Sequence, residues 1–97
     1  MEKSFFVYMM ASQRNGTIYT GMTSDLVKRV WQHKNEFFGG FTAEHNVKLF
    51  VWFEAHEHAE SAIRREKRLK KYTRDAKIKL IEKENKNWND LYDAISK

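Results

Sequence analysis

The stretch of residues 5–20 reads FFVYMMASQRNGTIYT and contains two β-prone runs separated by a short polar segment. Asn15-Gly16 lies in that segment, and an Asn-Gly pair between such runs is a strong short-range signal for an antiparallel hairpin. Side chains alternate between the two faces of a strand. A turn centred on Asn15-Gly16 therefore places Tyr8 and Tyr19 on the same face of the sheet, and only an odd shift of register would separate them.

The middle of the chain carries signals for one helix and one more strand. Thr23 or Ser24 is expected to cap a helix that runs to about Lys34. Residues 35–46, which include Gly39-Gly40, are typical of a loop. Residues 47–54, VKLFVWFE, are rich in β-branched and aromatic side chains and predict a third strand.

Two longer helices and a short amphipathic turn are expected in the C-terminal half. A second helix is expected to open at Glu57 or His58 and to reach about Lys71, and Thr73 caps a third helix that residues 85–87 interrupt. The final turn carries Trp88, Leu91, Tyr92 and Ile95. The order β-β-α-β-α-α predicts a two-layer α+β fold, with helices flanking a small three-stranded antiparallel sheet. Residues 1–97 are expected to form a single domain.

The helical period predicts which side chains the first two helices bury. The predicted apolar stripe of the first helix consists of Leu26, Val27, Val30 and Trp31. The predicted inward face of the second helix consists of Ala59, Ala62, Ile63 and Leu69. Three aromatic residues of the loop, Phe37, Phe38 and Phe41, are interpreted as core residues, with stacking on nucleobases as the alternative.

Composition excludes several classes of protein. Seven Phe, four Tyr and three Trp in 97 residues supply enough apolar mass for a core, so intrinsic disorder is excluded. The absence of cysteine excludes a disulfide framework and a cysteine-ligated zinc site, and it suits the cytoplasm, where we expect the protein. No apolar run is long enough to span a bilayer, so no membrane partner is expected.

Positive charge is concentrated in one segment. Between Arg64 and Lys79 there are nine Lys or Arg and two acidic residues, a net charge of +7, whereas the whole chain carries +5. One basic patch on a near-neutral body is typical of proteins that bind polyanions, nucleic acids above all. A solvated, lysine-rich helix kept for solubility has the same charge pattern, and charge alone does not choose between the two.

Glu66 breaks the pattern of the second helix. At about 100° per residue, it lies near the middle of the face that carries the apolar side chains. A carboxylate is rarely buried unless it is paired or bound to a metal. Two interpretations follow: an internal salt bridge from Glu66 to Arg29, which would link two helices, or a ligand for a hard divalent cation.

The other polar candidates each have an ordinary structural explanation. Tyr8 and Tyr19, taken singly, are more often core residues than catalytic ones. Arg29 and His33 are four residues apart on one helix face, at the edge of its apolar stripe, where such residues usually lie at the surface. The segment His56-Glu57-His58 lacks further spaced ligands, so we interpret it as the solvated start of a helix rather than a zinc site.

Taken together, four segments in order resemble the motifs of the GIY-YIG nuclease superfamily. Phe6-Val7-Tyr8 is a loose form of the first motif, and Tyr19-Thr20-Gly21 is close to the second. Residues 23–33, TSDLVKRVWQH, resemble the next motif, which carries an arginine and often a histidine one turn later. Residues 65–71, REKRLKK, resemble the helix that carries the metal-binding glutamate. The resemblance spans nearly the whole chain and is to small stand-alone bacterial members, which are similar to the N-terminal nuclease domain of the bacterial repair excinuclease.

The resemblance implies a metal-dependent endonuclease and assigns a role to each polar candidate. Glu66 would hold one Mg²⁺ or Mn²⁺ ion, and Arg29 would neutralise the charge that builds up on the phosphorus centre. Tyr8 or Tyr19 would position or deprotonate the attacking water. His33 would orient a tyrosine or relay the proton.

The same resemblance implies a nucleic-acid partner, with DNA favoured and repair or recombination as the setting. Gly21 would allow a close approach of the backbone at the edge of the sheet. A protein partner would supply target specificity. The side chains expected to follow the phosphate backbone are Arg64, Arg65, Lys67, Arg68, Lys70, Lys71 and Arg74.

Two other functions fit the same residues. The first is a non-catalytic nucleic-acid-binding module on this fold, in which the polar candidates persist for packing. The second is a protein-interaction domain whose basic patch meets an acidic partner. Fold alone does not choose between them, because function depends on the site rather than on the fold.

Overall fold

The computed structural model describes residues 4–35 and 45–96 of the chain. Three strands, β1 (Phe5–Ala11), β2 (Ile18–Thr23) and β3 (Leu49–His56), form one antiparallel sheet with β1 in the centre. The helices are α1 (Leu26–Lys34), α2 (Ala59–Lys70), α3 (Arg74–Glu84) and the short α4 (Tyr92–Ile95). The predicted order of strands and helices and the α+β class are confirmed.

The β1–β2 hairpin closes through a four-residue turn, residues 13–16. The amide of Gly16 donates to the carbonyl of Gln13 over 2.9 Å, and Asn15 takes the left-handed conformation with φ of 60°. The turn is therefore centred one residue earlier than predicted, because Asn tolerates positive φ at the third turn position. The register shifts by an even number of residues, so Tyr8 and Tyr19 share a face as expected.

Helices cover both faces of the sheet. Residues 7–11 of β1 are all buried, so this strand is apolar on both faces and needs cover on both. Alternate residues pack against α2 and α3 on one face and against α1 and α4 on the other. The predicted two-layer arrangement is therefore wrong, since the sheet is the middle layer of three.

The start of α1 differs from the prediction. Asp25, rather than Thr23 or Ser24, is the N-cap, and its Oδ1 accepts a hydrogen bond from the amide of Lys28 over 3.2 Å. The Thr23 hydroxyl instead accepts from the amide of Asp25 and donates to its carbonyl. Three consecutive residues could each act as a cap, and the sequence alone does not show which one does.

The buried face of α1 is rotated from the predicted stripe. Leu26 and Val30 are buried as predicted, but the predicted stripe is wrong for Val27 and Trp31, which are 38% and 48% exposed. Gln32 and His33 are buried instead. The hydrophobic pattern misses this rotation because two of the inward positions carry polar side chains.

The helices of the C-terminal half begin where the sequence predicts. His58 is the N-cap of α2, and the Thr73 hydroxyl caps α3 by accepting from the amide of Ala76 over 3.2 Å. In α2, Ala62 and Leu69 are buried as predicted. The prediction for Ile63 is wrong, because it lies about 100° away from Ala62 around the helix axis and is exposed.

The predicted interruption after the third helix is confirmed at Asn85, the C-cap of α3. The Nδ2 of buried Asn85 donates to the carbonyls of Val51 and Asn89 over 3.0 and 2.9 Å, so it fastens the chain end to β3. Phe37, Phe38 and Phe41 lie outside the described residues. Within residues 4–35 and 45–96, no helix has the length and apolar character needed to cross a bilayer.

Candidate active site

Two tyrosines lie side by side on the α1 face of the sheet. Tyr8 in β1 and Tyr19 in β2 have ring centroids 6.2 Å apart. Tyr8 pairs with Gly21 across the strands, and a Cβ added at Gly21 would lie 2.6 Å from the Tyr8 hydroxyl oxygen. The absence of a side chain at Gly21 therefore lets the Tyr8 phenol lie against the neighbouring strand.

His33 of α1 lies over both tyrosine rings. Its Nε2 is 2.8 Å from the hydroxyl oxygen of Tyr8, and both groups are buried. The ring centroids are 5.6 Å from Tyr8 and 5.0 Å from Tyr19. His33 is only 6% exposed, so the interpretation of it as a histidine on the helix surface is wrong. Its Nδ1 is buried without a hydrogen-bond partner among the described residues.

Arg29, one turn before His33, acts on both members of this hydrogen bond. Burial raises the pKa of the Tyr8 phenol, and the neighbouring Tyr19 raises it further, whereas the charge of Arg29 and a hydrogen bond from it act in the opposite direction. Burial lowers the pKa of His33 to about 4, and the charge of Arg29 contributes to that shift. Tyr8 and His33 are therefore both uncharged at neutral pH.

The tyrosine–histidine cluster consists of Tyr8, Tyr19, His33 and Arg29, and it places one cation beside polar rings of which Tyr8 and His33 are uncharged. A guanidinium presents a planar fork of donors that suits the oxygens of a phosphate. A phenol whose pKa is raised stays protonated at neutral pH, so Tyr8 is suited to orienting a water or an oxygen rather than to taking its proton. The arrangement therefore favours binding and positioning a phosphate group.

Glu66 comes from the opposite side of the sheet. It lies on α2, which packs against the face that does not carry Tyr8. Its side chain is 21% exposed, and its Oε2 is 3.5 Å from the Nζ of Lys70, one turn later in the same helix. Glu66 is thus half-buried as its helix position indicates, and the structure describes an ion pair between it and Lys70.

The side chains that could act as metal ligands limit which metal ion would fit this site. Among residues 4–35 and 45–96, no group of three His, Cys, Asp or Glu is placed to hold a metal ion. A zinc site needs three or four such protein ligands. A lone, partly exposed carboxylate such as Glu66 suits Mg²⁺, which keeps several waters and takes one or two protein carboxylates.

The predicted phosphate-contacting side chains differ in exposure. Arg65 is half-buried, and its Nε donates to Oε1 of Glu54 on β3 over 3.0 Å. The carboxylate of Glu54 therefore holds Arg65 against the sheet. The exposed members of the set are Arg64, Lys67, Arg68, Lys70, Lys71 and Arg74.

The sequence does not predict a polar groove that adjoins the tyrosine–histidine cluster. The groove has a volume of about 360 Å³ and shares Arg29 with the cluster. Lys28 and Gln32 are four residues apart, and this spacing is the only sequence signal that they share one side of a helix. The groove is lined by Thr23, Ser24, Asp25, Lys28, Arg29 and Gln32.

Comparison with known proteins gives a consistent result. Residues 4–89 match the GIY-YIG catalytic domain. The chain is 34% identical to the UPF0213 protein CPE1444 of Clostridium perfringens over 76 residues, which cover 78% of this chain and 81% of that one. It is 33% identical to a UPF0213 protein of Staphylococcus aureus over 78 residues, which cover 80% of this chain and 94% of that one.

A solved structure shares the fold. The solution NMR structure of the UPF0213 protein BH0048 of Bacillus halodurans aligns with a TM-score of 0.56 and 24% sequence identity. The alignment covers 90% of this chain and 92% of that chain. The order and packing of the strands and helices described above therefore have a counterpart in an experimental structure.

Proposed function

Because this chain belongs to the GIY-YIG family of nuclease domains, we propose that it is a cytoplasmic, metal-dependent endonuclease that hydrolyses a phosphodiester bond in DNA. The observation that supports the proposal most directly is the Tyr8–His33 hydrogen bond beside Arg29. Burying a phenol and an imidazole beside a half-buried guanidinium is costly, and groups with strongly shifted pKa values concentrate at functional sites.

Each residue of the cluster has a role in this proposal. Arg29 binds the non-bridging oxygens of the scissile phosphate and neutralises charge as the reaction proceeds. Tyr8, held protonated by burial, positions the attacking water together with Tyr19, the less buried phenol of the two. His33 fixes the orientation of the Tyr8 hydroxyl through their 2.8 Å hydrogen bond.

Glu66 would hold one Mg²⁺ or Mn²⁺ ion through its carboxylate. When bound, the ion supplies Lewis-acid stabilisation of the charge on the scissile phosphate and on the leaving oxygen. The present partner of Glu66, Lys70, has a side chain that is 54% exposed, so its ammonium is able to leave the carboxylate at little cost. The carboxylate is therefore accessible to a cation.

The exposed basic side chains of α2 and of the start of α3 would follow the backbone of the DNA, with an affinity that falls as salt rises. The resemblance of its sequence motifs to those of the nuclease domain of the bacterial repair excinuclease favours a role in repair or recombination. A protein partner would supply target specificity.

A nicking assay with a charge-neutral variant tests this proposal. Wild type and Glu66→Gln are incubated at low salt with supercoiled and branched DNA, in Mg²⁺, Mn²⁺ or EDTA. The matched control is Glu84→Gln, an exposed carboxylate at the last residue of α3. We expect metal-dependent nicking by the wild type and the control, and a rate at least about 100-fold lower for Glu66→Gln.

Other outcomes separate the alternatives. Equal, salt-sensitive DNA binding by all three proteins without nicking would replace the proposal with a non-catalytic binding module. Retention of a protein ligand at a moderate salt concentration that abolishes DNA binding would favour a protein-interaction domain. Full nicking activity of Glu66→Gln would exclude Glu66 as the metal ligand.

A further inference from the structure

The polar groove beside the tyrosine–histidine cluster has no role in the proposed chemistry. Its volume of about 360 Å³ is within the range of about 300–1,000 Å³ that is typical of small-ligand sites. Arg29 lines the groove and also acts on Tyr8. An occupant of the groove would therefore lie next to any phosphate that Arg29 binds.

The groups along the groove differ in what they are able to bind. Lys28 and Arg29 place two cationic side chains on one stretch of its wall. Gln32 also lines the groove and is 9% exposed, so most of its side chain is fixed by packing. An amide offers both donors and acceptors, which suits the edge of a base or a sugar oxygen.

The groove is also lined by one carboxylate, that of Asp25. Oδ1 of Asp25 accepts from the amide of Lys28 over 3.2 Å, so this carboxylate is engaged in capping α1. The Thr23 hydroxyl is engaged with the backbone of Asp25. The other groups that line the groove and that the subsite would use are Lys28, Gln32 and the exposed Ser24.

We propose that the groove is a subsite for the nucleotide adjacent to the scissile phosphate, in which Lys28 contacts the phosphate of that nucleotide and Gln32 hydrogen-bonds its sugar or base. The substrate class rests on the proposed function, because it assumes that Arg29 holds the scissile phosphate. Lys28 and Gln32 are then substrate-binding residues that contact the strand beside the scissile phosphate without touching the reacting atoms.

A binding experiment tests the subsite without any need for cleavage. Amide shifts of ¹⁵N-labelled protein are followed in EDTA during titration with a thymidine dinucleotide joined by one phosphodiester. We expect shifts at Ser24, Lys28 and Gln32, and a dissociation constant at least about fivefold higher for Lys28→Met. The control is Lys86→Met, an exposed lysine between α3 and α4. Shifts confined to α2, or equal affinities of the two variants, would overturn the subsite.

A kinetic experiment separates the subsite from the proposed function. On DNA that the wild type nicks, we expect Lys28→Met and Gln32→Leu to raise KM about tenfold and to leave kcat within about twofold. Unchanged KM in both variants would contradict the subsite while leaving the nuclease intact. Groove shifts in a protein that nicks no substrate would contradict the proposed nuclease and would reduce the subsite to a nucleotide-binding groove.

Discussion

At the scale of single residues, His33 makes the buried face of α1 partly polar. The sequence pattern assigns the inward side of α1 to Val27 and Trp31, whereas the structure buries Gln32 and His33 there. A hydrophobic pattern does not identify such positions, because it assumes that buried side chains are apolar. The motif that carries Arg29 and His33 was recognisable from the sequence, but the burial of His33 and its bond to Tyr8 were not.

The lowered pKa of His33 predicts a loss of stability in acid. The folded pKa of about 4 lies below the value of about 6.5 for an unfolded histidine, so the unfolded chain binds more protons between these pH values. The contribution of neutral His33 to stability is complete above about pH 6.5 and is lost as the pH falls toward 4. We expect wild type to lose on the order of 2 kcal/mol more than His33→Gln between pH 7 and 4.5.

Urea unfolding of the two proteins at both pH values measures this difference. The Asp and Glu residues are the same in both proteins, so their contribution to acid unfolding cancels. Equal losses of unfolding free energy in wild type and His33→Gln would contradict a buried, neutral His33.

At the scale of secondary-structure elements, α2 carries exposed cationic side chains and one, Arg65, that is paired with a carboxylate of the sheet. The charge run is visible in the sequence, but the partner of Arg65 is not, because Glu54 lies on a strand eleven residues earlier. The strand pairing in the β1–β2 hairpin, in contrast, was predictable from the sequence. This pairing depends on local turn chemistry, so the shared face of Tyr8 and Tyr19 was predictable although the centre of the turn was not.

Alanine variants of α2 distinguish these two kinds of cation. Lys67→Ala is expected to lower the slope of log affinity against log salt by about 1 and to leave the free energy of unfolding within about 0.5 kcal/mol. Arg65→Ala is expected to leave the slope unchanged and to cost at most about 1 kcal/mol of stability, because Glu54 is partly solvated.

Fluorescence anisotropy with labelled DNA over a range of salt concentrations gives the slopes, and urea unfolding gives the stabilities. If Arg65→Ala lowered the slope as much as Lys67→Ala does, Arg65 would have to leave Glu54 and contact the DNA.

At the scale of the whole molecule, the proposed catalytic centre includes residues from helices on both faces of the sheet. Tyr8, Arg29 and His33 lie on the α1 face, and Glu66 lies on the helix that covers the other face. The sequence predicted the order of the strands and helices and the residues of the cluster. It did not predict that helices cover both faces of the sheet. The signal was present, because residues 7–11 form a continuous apolar run without the alternating polar residues of a strand that has one face in water, and all five are buried.

The measurement that tests the central claim most directly is the single-turnover nicking rate of Arg29→Lys, compared with its dissociation constant for the same DNA. Lysine keeps the positive charge but lacks the planar fork of donors. We predict a rate about 100-fold below that of wild type, with the dissociation constant changed by less than about threefold, and no effect of Arg14→Lys in the exposed hairpin turn. A wild-type rate for Arg29→Lys, or a defect confined to DNA binding, would contradict a catalytic centre built around the Tyr8–His33–Arg29 cluster.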